Sequence, residues 1–228
     1  MNGFEIIKSN IAAIRGQMKA YPGAVLLAAT KNVPPEAINY AIRECGIEYI
    51  GENRVQELLE KYDAIEKEGV HIHFIGSLQT NKVKYIADKV EMIHSLSSER
   101  LALEIEKRCA AIGKVMDVLI EINIAAEESK DGVLPENFFE FYDFVRTLPH
   151  LRCVGIMTMA PADAGQEGWR EYFARARAIF DEFCLKKPAE IDRPILSMGM
   201  SQSYLTALEC GSSMVRVGSL IFNARKYS

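Results

Sequence analysis

Short apolar runs with strand character recur along this chain, and each is followed by a longer stretch whose apolar positions return every three or four residues. Eight runs stand out: Ala24–Ala29, Ile47–Gly51, His71–Ile75, Glu91–His94, Val115–Ile122, Leu151–Ile156, Pro194–Leu196 and Met214–Val217. Helical patterns lie between them over Pro35–Glu44, Arg54–Glu68, Gln79–Lys89, Ser98–Ile112, Pro135–Thr147, Glu167–Lys187 and Gln202–Cys210. A further helix, Phe4 to about Lys19, precedes the first run. Strands alternating with helices predict right-handed βαβ units and a parallel sheet. The N-terminal helix is expected to fill the place in the outer ring that the eighth strand leaves vacant. Eight repeats closing on themselves make a TIM-type (β/α)8 barrel of class α/β. An open doubly wound sheet competes, but the even spacing favours closure. No Gly-, Ser- or Pro-rich linker divides the chain, so residues 1–228 read as a single domain.

Composition narrows the partners without changing the fold. The 228 residues are 49% hydrophobic and 25% charged, enough to bury one sizeable core. A net charge of −4 gives no reason to expect nucleic acid or an anionic membrane as partner. Cys45, Cys109, Cys153, Cys184 and Cys210 show no metal-ligand spacing and fit buried thiols in a reducing cytoplasm. Neither a secretory leader nor a run of ~18 apolar residues is present, so a soluble, cytoplasmic protein is expected.

Barrel chemistry sits at the C-terminal ends of the strands. Those ends read Thr30-Lys31, Glu52-Asn53, Gly76-Ser77, His94-Ser95, Asn123, Met157-Thr158, Ser197, and Arg216 with Gly218-Ser219. Each taken alone is more often a cap or loop former than a ligand group. A lysine partly desolvated where a strand leaves the core offers a nucleophilic amine to an aldehyde or ketone, although a strand-end lysine can equally reach into solvent. Across the same mouth, Ser197-Met198-Gly199-Met200-Ser201 opens a helix and Gly218-Ser219 follows the last strand. Small residues there let backbone N–H groups approach an anion, the place where barrels often hold phosphate. An imine-forming lysine facing a phosphate cradle points to pyridoxal 5′-phosphate (PLP), which carries both an aldehyde and a phosphate. His71 and His73 share a strand face without a third metal ligand, and read as packed or edge histidines. Met198 and Met200 read as core or turn fillers, and Lys82 and Lys84 as a solvated helix face.

The motifs resemble the pyridoxal phosphate homeostasis proteins, single-domain barrels related to the N-terminal half of alanine racemases. The matches are Leu26-Leu27-Ala28-Ala29-Thr30-Lys31, Gly51-Glu52-Asn53-Arg54-Val55-Gln56-Glu57 and His73-Phe74-Ile75-Gly76-Ser77-Leu78-Gln79-Thr80-Asn81-Lys82. Further ones are Ile93-His94-Ser95, Ser129-Lys130-Asp131-Gly132, Leu196 to Ser201, and Val215-Arg216-Val217-Gly218-Ser219 running into Ile221-Phe222. The resemblance implies PLP fold type III, with Lys31 as the Schiff-base lysine and Ser201, Gly218 and Ser219 on the phosphate. It sets Arg216 against the pyridine nitrogen, and lines the cofactor with Asn53, His73, Met157 and Ser197. It also makes Glu127–Gly132 a flap over the mouth. Two departures stand out: Asn223 where the family usually has Gly, a turn Asn can also hold, and Ala29-Thr30 in place of Val-Ser.

A guanidinium beside the ring nitrogen disfavours its protonation, so the cofactor would be a weaker electron sink than one paired with a carboxylate. Racemisation also needs a second acid/base group, which the related racemases take from an additional C-terminal β-domain. This chain, ending nine residues after Ser219, is expected to lack that domain and to be a monomer. The expected role is therefore to hold PLP and deliver it to apo-enzymes, without strong catalysis. A low-efficiency PLP-dependent amino-acid racemase is the alternative, and a cofactor-free Schiff-base aldolase a third reading.

Overall fold

The computed structural model describes residues 3–127 and 130–223. Eight parallel strands close into a barrel in sequence order: β1 (Val25–Ala29), β2 (Tyr49–Glu52), β3 (His71–Phe74), β4 (Met92–Leu96), β5 (Met116–Ile122), β6 (Leu151–Thr158), β7 (Ile195–Ser197) and β8 (Met214–Val217). Closure is made by β8 against β1, where Leu27 is level with Arg216. Among the described residues, eight α-helices complete the ring: α1 (Gly3–Met18), α2 (Pro35–Cys45), α3 (Val55–Lys61), α4 (Glu99–Ala111), α5 (Phe138–Val145), α6 (Gly165–Lys186), α7 (Tyr204–Glu209) and α8 (Ser219–Phe222). The expected closed barrel is the observed one. Helix α1 packs against α2 on one side and against α7 and α8 on the other, filling the vacant place in the ring.

Period two in each strand divides the core. In β1, Leu26 and Ala28 face the helices, whereas Leu27 faces the barrel interior with Ile75 and Met214. A second interior cluster joins Met92, Leu119, Val154 and Met157. Between these apolar groups lie buried polar side chains, among them His73, His94, Ser197 and Arg216. Gly155 is required where β6 meets β7, because a Cβ there would stand 1.9 Å from the Ile195 carbonyl oxygen. The β5–β6 register slips at the same level.

Local chemistry explains most boundaries. Helix α2 begins on Pro35 behind Pro34 and ends on Gly46, whose φ of 62° supplies the left-handed cap. Helix α4 is capped by the Ser98 hydroxyl, which accepts from the Leu101 N–H. Two helices are shorter than their patterns predict. Residues Gln79–Lys89 form a 3-10 turn over Thr80–Tyr85, wound by i to i+3 bonds such as Ile86 N–H to Val83 O. That tighter winding sets Val83 and Ile86 on one face against α4. Helix α3 stops at Lys61, where the Ala64 and Ile65 N–H groups both turn onto the Lys61 carbonyl. Helix α8, a single turn, escaped the pattern altogether. It ends on Asn223 at φ 52°, the left-handed turn expected of that asparagine.

Candidate functional site

The C-terminal ends of the strands surround a cavity of about 460 Å³, a volume suited to a cofactor-sized ligand. Six residues singled out from the sequence line it: Lys31, Asn53, Ser201, Arg216, Gly218 and Ser219. Lys31 follows β1, the strand that closes the barrel against β8, and lines the same cavity as the turns after β7 and β8. It is exposed, so the protein does not itself supply the burial expected at a strand end. His73, Met157 and Ser197 do not line the cavity. They lie beneath it, each no more than 2% exposed. Closure also brings in Ile75, Met159, Trp169, Met200 and Gln202, which sequence reasoning missed as site residues. Met159 immediately follows β6, so the strand-end rule could have found it. Trp169 comes from the first turns of α6, held by its Nε1–H to the Pro161 carbonyl, and no local signal marks it.

The turns after β7 and β8 present hydrogen-bond donors to the cavity. The Ser201 hydroxyl accepts from the Leu220 N–H, tying the turn after β7 to the start of α8. Among the described residues, the N–H groups of Ser201, Gln202 and Ser219 have no hydrogen-bond acceptor, and all three residues line the cavity. Gly218 sits against β1, where a Cβ would come within 2.9 Å of the Ala29 carbonyl oxygen and 3.1 Å of its Cβ. A side chain there would narrow the gap between the lysine and the anion wall.

Arg216 is held from below. Its Nη1 donates to the Ser197 hydroxyl at 2.7 Å and its Nη2 to the Thr158 carbonyl at 3.1 Å. The Ser197 hydroxyl lies 3.2 Å from His94 Nδ1, and His94 Nε2 lies 2.9 Å from His73 Nδ1. A guanidinium only donates, so the Ser197 hydrogen is free to go to His94 Nδ1. The assignment that satisfies every contact puts the His94 proton on Nε2 and the His73 proton on Nε2 as well. Both rings are therefore neutral. Burial lowers His73 to about 3, with His71 adding to the effect. Burial also holds His94 well below its ordinary value, helped by His73 and Arg216. Arg216 is pulled down to about 10 by burial, with Glu121 opposing. Burial pushes the Glu121 carboxyl up to about 7, against the pull of Arg216.

Other polar strand ends serve the fold. The Asn123 side chain closes its own loop onto Glu127, and the Thr158 hydroxyl donates to the Ile122 carbonyl. The Ser77 hydroxyl donates to Asp131 at the far end of the suggested flap. Glu128 and Ser129, at the centre of that flap, lie outside the described residues. His71 stacks on Tyr49 and pairs with Glu91, while Lys82 and Lys84 lie over the Tyr85 ring. Among the described residues no three His, Cys, Asp or Glu side chains gather as a metal site, and no helix is long and apolar enough to cross a membrane.

The barrel with a lysine after its first strand and an anion wall after its last two falls in a defined class. The chain matches the family "Alanine racemase, N-terminal domain" over residues 5–226. The curated pyridoxal phosphate homeostasis protein of Aquifex aeolicus (strain VF5) is 47% identical over 204 residues, covering 90% of this chain and 88% of the relative. That of Pasteurella multocida (strain Pm70) is 37% identical and covers 97% of this chain and 96% of its own. The solved structure of PipY from Synechococcus elongatus PCC7942 with PLP bound superposes with a TM-score of 0.81 at 28% identity, over 95% of this chain and 99% of PipY. The chain belongs to the pyridoxal phosphate homeostasis protein family.

Proposed function

We propose that this protein binds pyridoxal 5′-phosphate in the cavity at the mouth of the barrel, holds it reversibly on Lys31, and buffers and delivers it. One observation carries the reading: Lys31, Ser201, Arg216, Gly218 and Ser219 line a single cavity. When bound, the cofactor supplies an aldehyde that condenses with the Lys31 amine to a C=N linkage with release of one water, and water reverses the reaction. Ser201 and the N–H groups around Gly218 and Ser219 hold the phosphate, and Ile75, Met159 and Trp169 give the ring an apolar wall. Arg216, set by Ser197 and the Thr158 carbonyl, keeps a positive charge where the family places the pyridine nitrogen and so disfavours its protonation. Asn53 completes the rim, while His73, Met157 and Ser197 support the site from below. Apart from Lys31 and Arg216, the residues lining the cavity carry no acid/base side chain among those described. That supports a carrier over a racemase. The five cysteines are free thiols, which supports a reducing, cytoplasmic setting. The partners that follow are PLP itself and PLP-dependent apo-enzymes, served by a monomer of one domain.

Borohydride reduction of the PLP-loaded protein followed by peptide mass mapping tests the reading. The adduct is expected on Lys31; an adduct elsewhere, or none, overturns it. Incubation with D- and L-alanine separates carrier from enzyme, because turnover at roughly 1 s⁻¹ or faster belongs to an ordinary enzyme.

A further inference from the structure

We propose that Lys61, together with Glu52 and Glu57, positions Lys31 by gripping the peptide groups on either side of it; the inference rests on the reading of Lys31 as the attachment point. Lys61 ends α3, and its side chain is only 11% exposed. An ammonium has three donors, and this one uses all three: the Thr30 carbonyl at 2.9 Å, Glu52 Oε2 at 3.0 Å and Glu57 Oε2 at 3.1 Å. Thr30 immediately precedes Lys31. Its hydroxyl also donates to Glu52 Oε2 at 3.0 Å, so both ends of that residue are tied to the cluster. Asn32 immediately follows Lys31, and its N–H donates to Glu57 Oε2 at 2.8 Å. Its φ of 57° lies in the left-handed region, which asparagine adopts more readily than other residues with a Cβ. Glu52 Oε1 accepts from the N–H of Asn53, which also lines the cavity.

Buried charge clusters often add little to stability, since apolar replacements can match them. This one differs in what it touches. Its contacts are the carbonyl before Lys31 and the N–H after it, and they fix the backbone from which an otherwise exposed side chain starts. A long, flexible amine reaches a ligand from one direction only if its own peptide groups are held.

The test compares wild type with Glu57→Ala and Lys61→Arg. Each is equilibrated with graded pyridoxal 5′-phosphate, reduced with borohydride and mapped by mass, with the thermal midpoint recorded alongside. Glu57→Ala is expected to raise the concentration for half-labelling of Lys31 by about tenfold, the worth of one charge-assisted hydrogen bond. It should also move part of the label to other lysines. Lys61→Arg keeps a cation and should stay within about threefold of wild type. A Glu57→Ala protein with a lower midpoint but unchanged labelling of Lys31 overturns the positioning role. If Glu57→Ala does not fold, Glu57→Gln replaces it with a smaller expected loss, about threefold, and unchanged labelling overturns the role in the same way. Wild type labelled away from Lys31 defeats the functional reading instead, which keeps the two failures distinct.

Discussion

Two buried polar clusters support the same cavity from different strands, and they solve the problem of burial differently. Under β1 and β2, Lys61 faces two carboxylates, one of which also pairs with Arg54, so charge is met by charge. Under β7 and β8, Arg216 meets only neutral dipoles, the Ser197 hydroxyl and the Thr158 carbonyl, backed by two neutral histidines. The first arrangement holds a backbone segment whose side chain must stay free to react. The second holds a side chain that lines the cavity, with no carboxylate among the described residues within hydrogen-bond range to neutralise it. Removing a partner should therefore be costly in the first cluster and graded in the second.

Lys61→Met should give the largest effect, because it leaves the buried Glu52 carboxylate without its cation and strips Glu57 and the Thr30 carbonyl of their Lys61 bonds. A destabilisation of about 3–5 kcal/mol is expected in urea unfolding. A loss below about 1 kcal/mol would erase the contrast between the clusters.

Glu121 sharpens the comparison through pH. Its carboxyl is raised from the ordinary 4.5 to about 7, so the fold prefers it neutral. That contribution to stability is complete below about pH 4.5, declines as pH rises towards 7, and is lost above. Glu121→Gln removes the decline. The stability difference between variant and wild type should shift by up to about 3 kcal/mol in favour of the variant between pH 4.5 and 8. Parallel pH profiles for the two proteins would show that Arg216 already keeps Glu121 ionised.

His94→Leu breaks the relay at its middle, leaving the Ser197 hydroxyl hydrogen without an acceptor and His73 Nδ1 without a donor. About 2 kcal/mol of stability should be lost in the same unfolding assay, and a neutral result would mean the relay does not support Arg216. Ser201→Ala is the mildest change. It removes one hydroxyl from the anion wall, and PLP affinity measured by titration should fall by about 1 kcal/mol, with the thermal midpoint almost unmoved.

Lys31, Ser201, Gly218 and Ser219 were legible because each follows a strand whose end the hydrophobic pattern marks, and in a closed barrel such positions converge by topology. The resemblance lined the cofactor with Ser197, Met157 and His73, which sit lower in the barrel than the residues around the cavity. Strand tilt and stagger, which a pattern of period two does not encode, decide how high each residue stands. Ile75 and Trp169 escaped because nothing local distinguishes an apolar residue that walls a cavity from one that fills a core.

The chain by itself determined the order of strands and helices, and the strand-end lysine and small residues that line the cavity, since periodicity and turn chemistry act between near neighbours. Tertiary structure alone decided the rest. Lys61 grips Thr30 across 31 positions, and His94 meets Ser197 across 103. Only the closed barrel brings those groups together, and only its burial keeps the histidines neutral and the Glu121 proton in place.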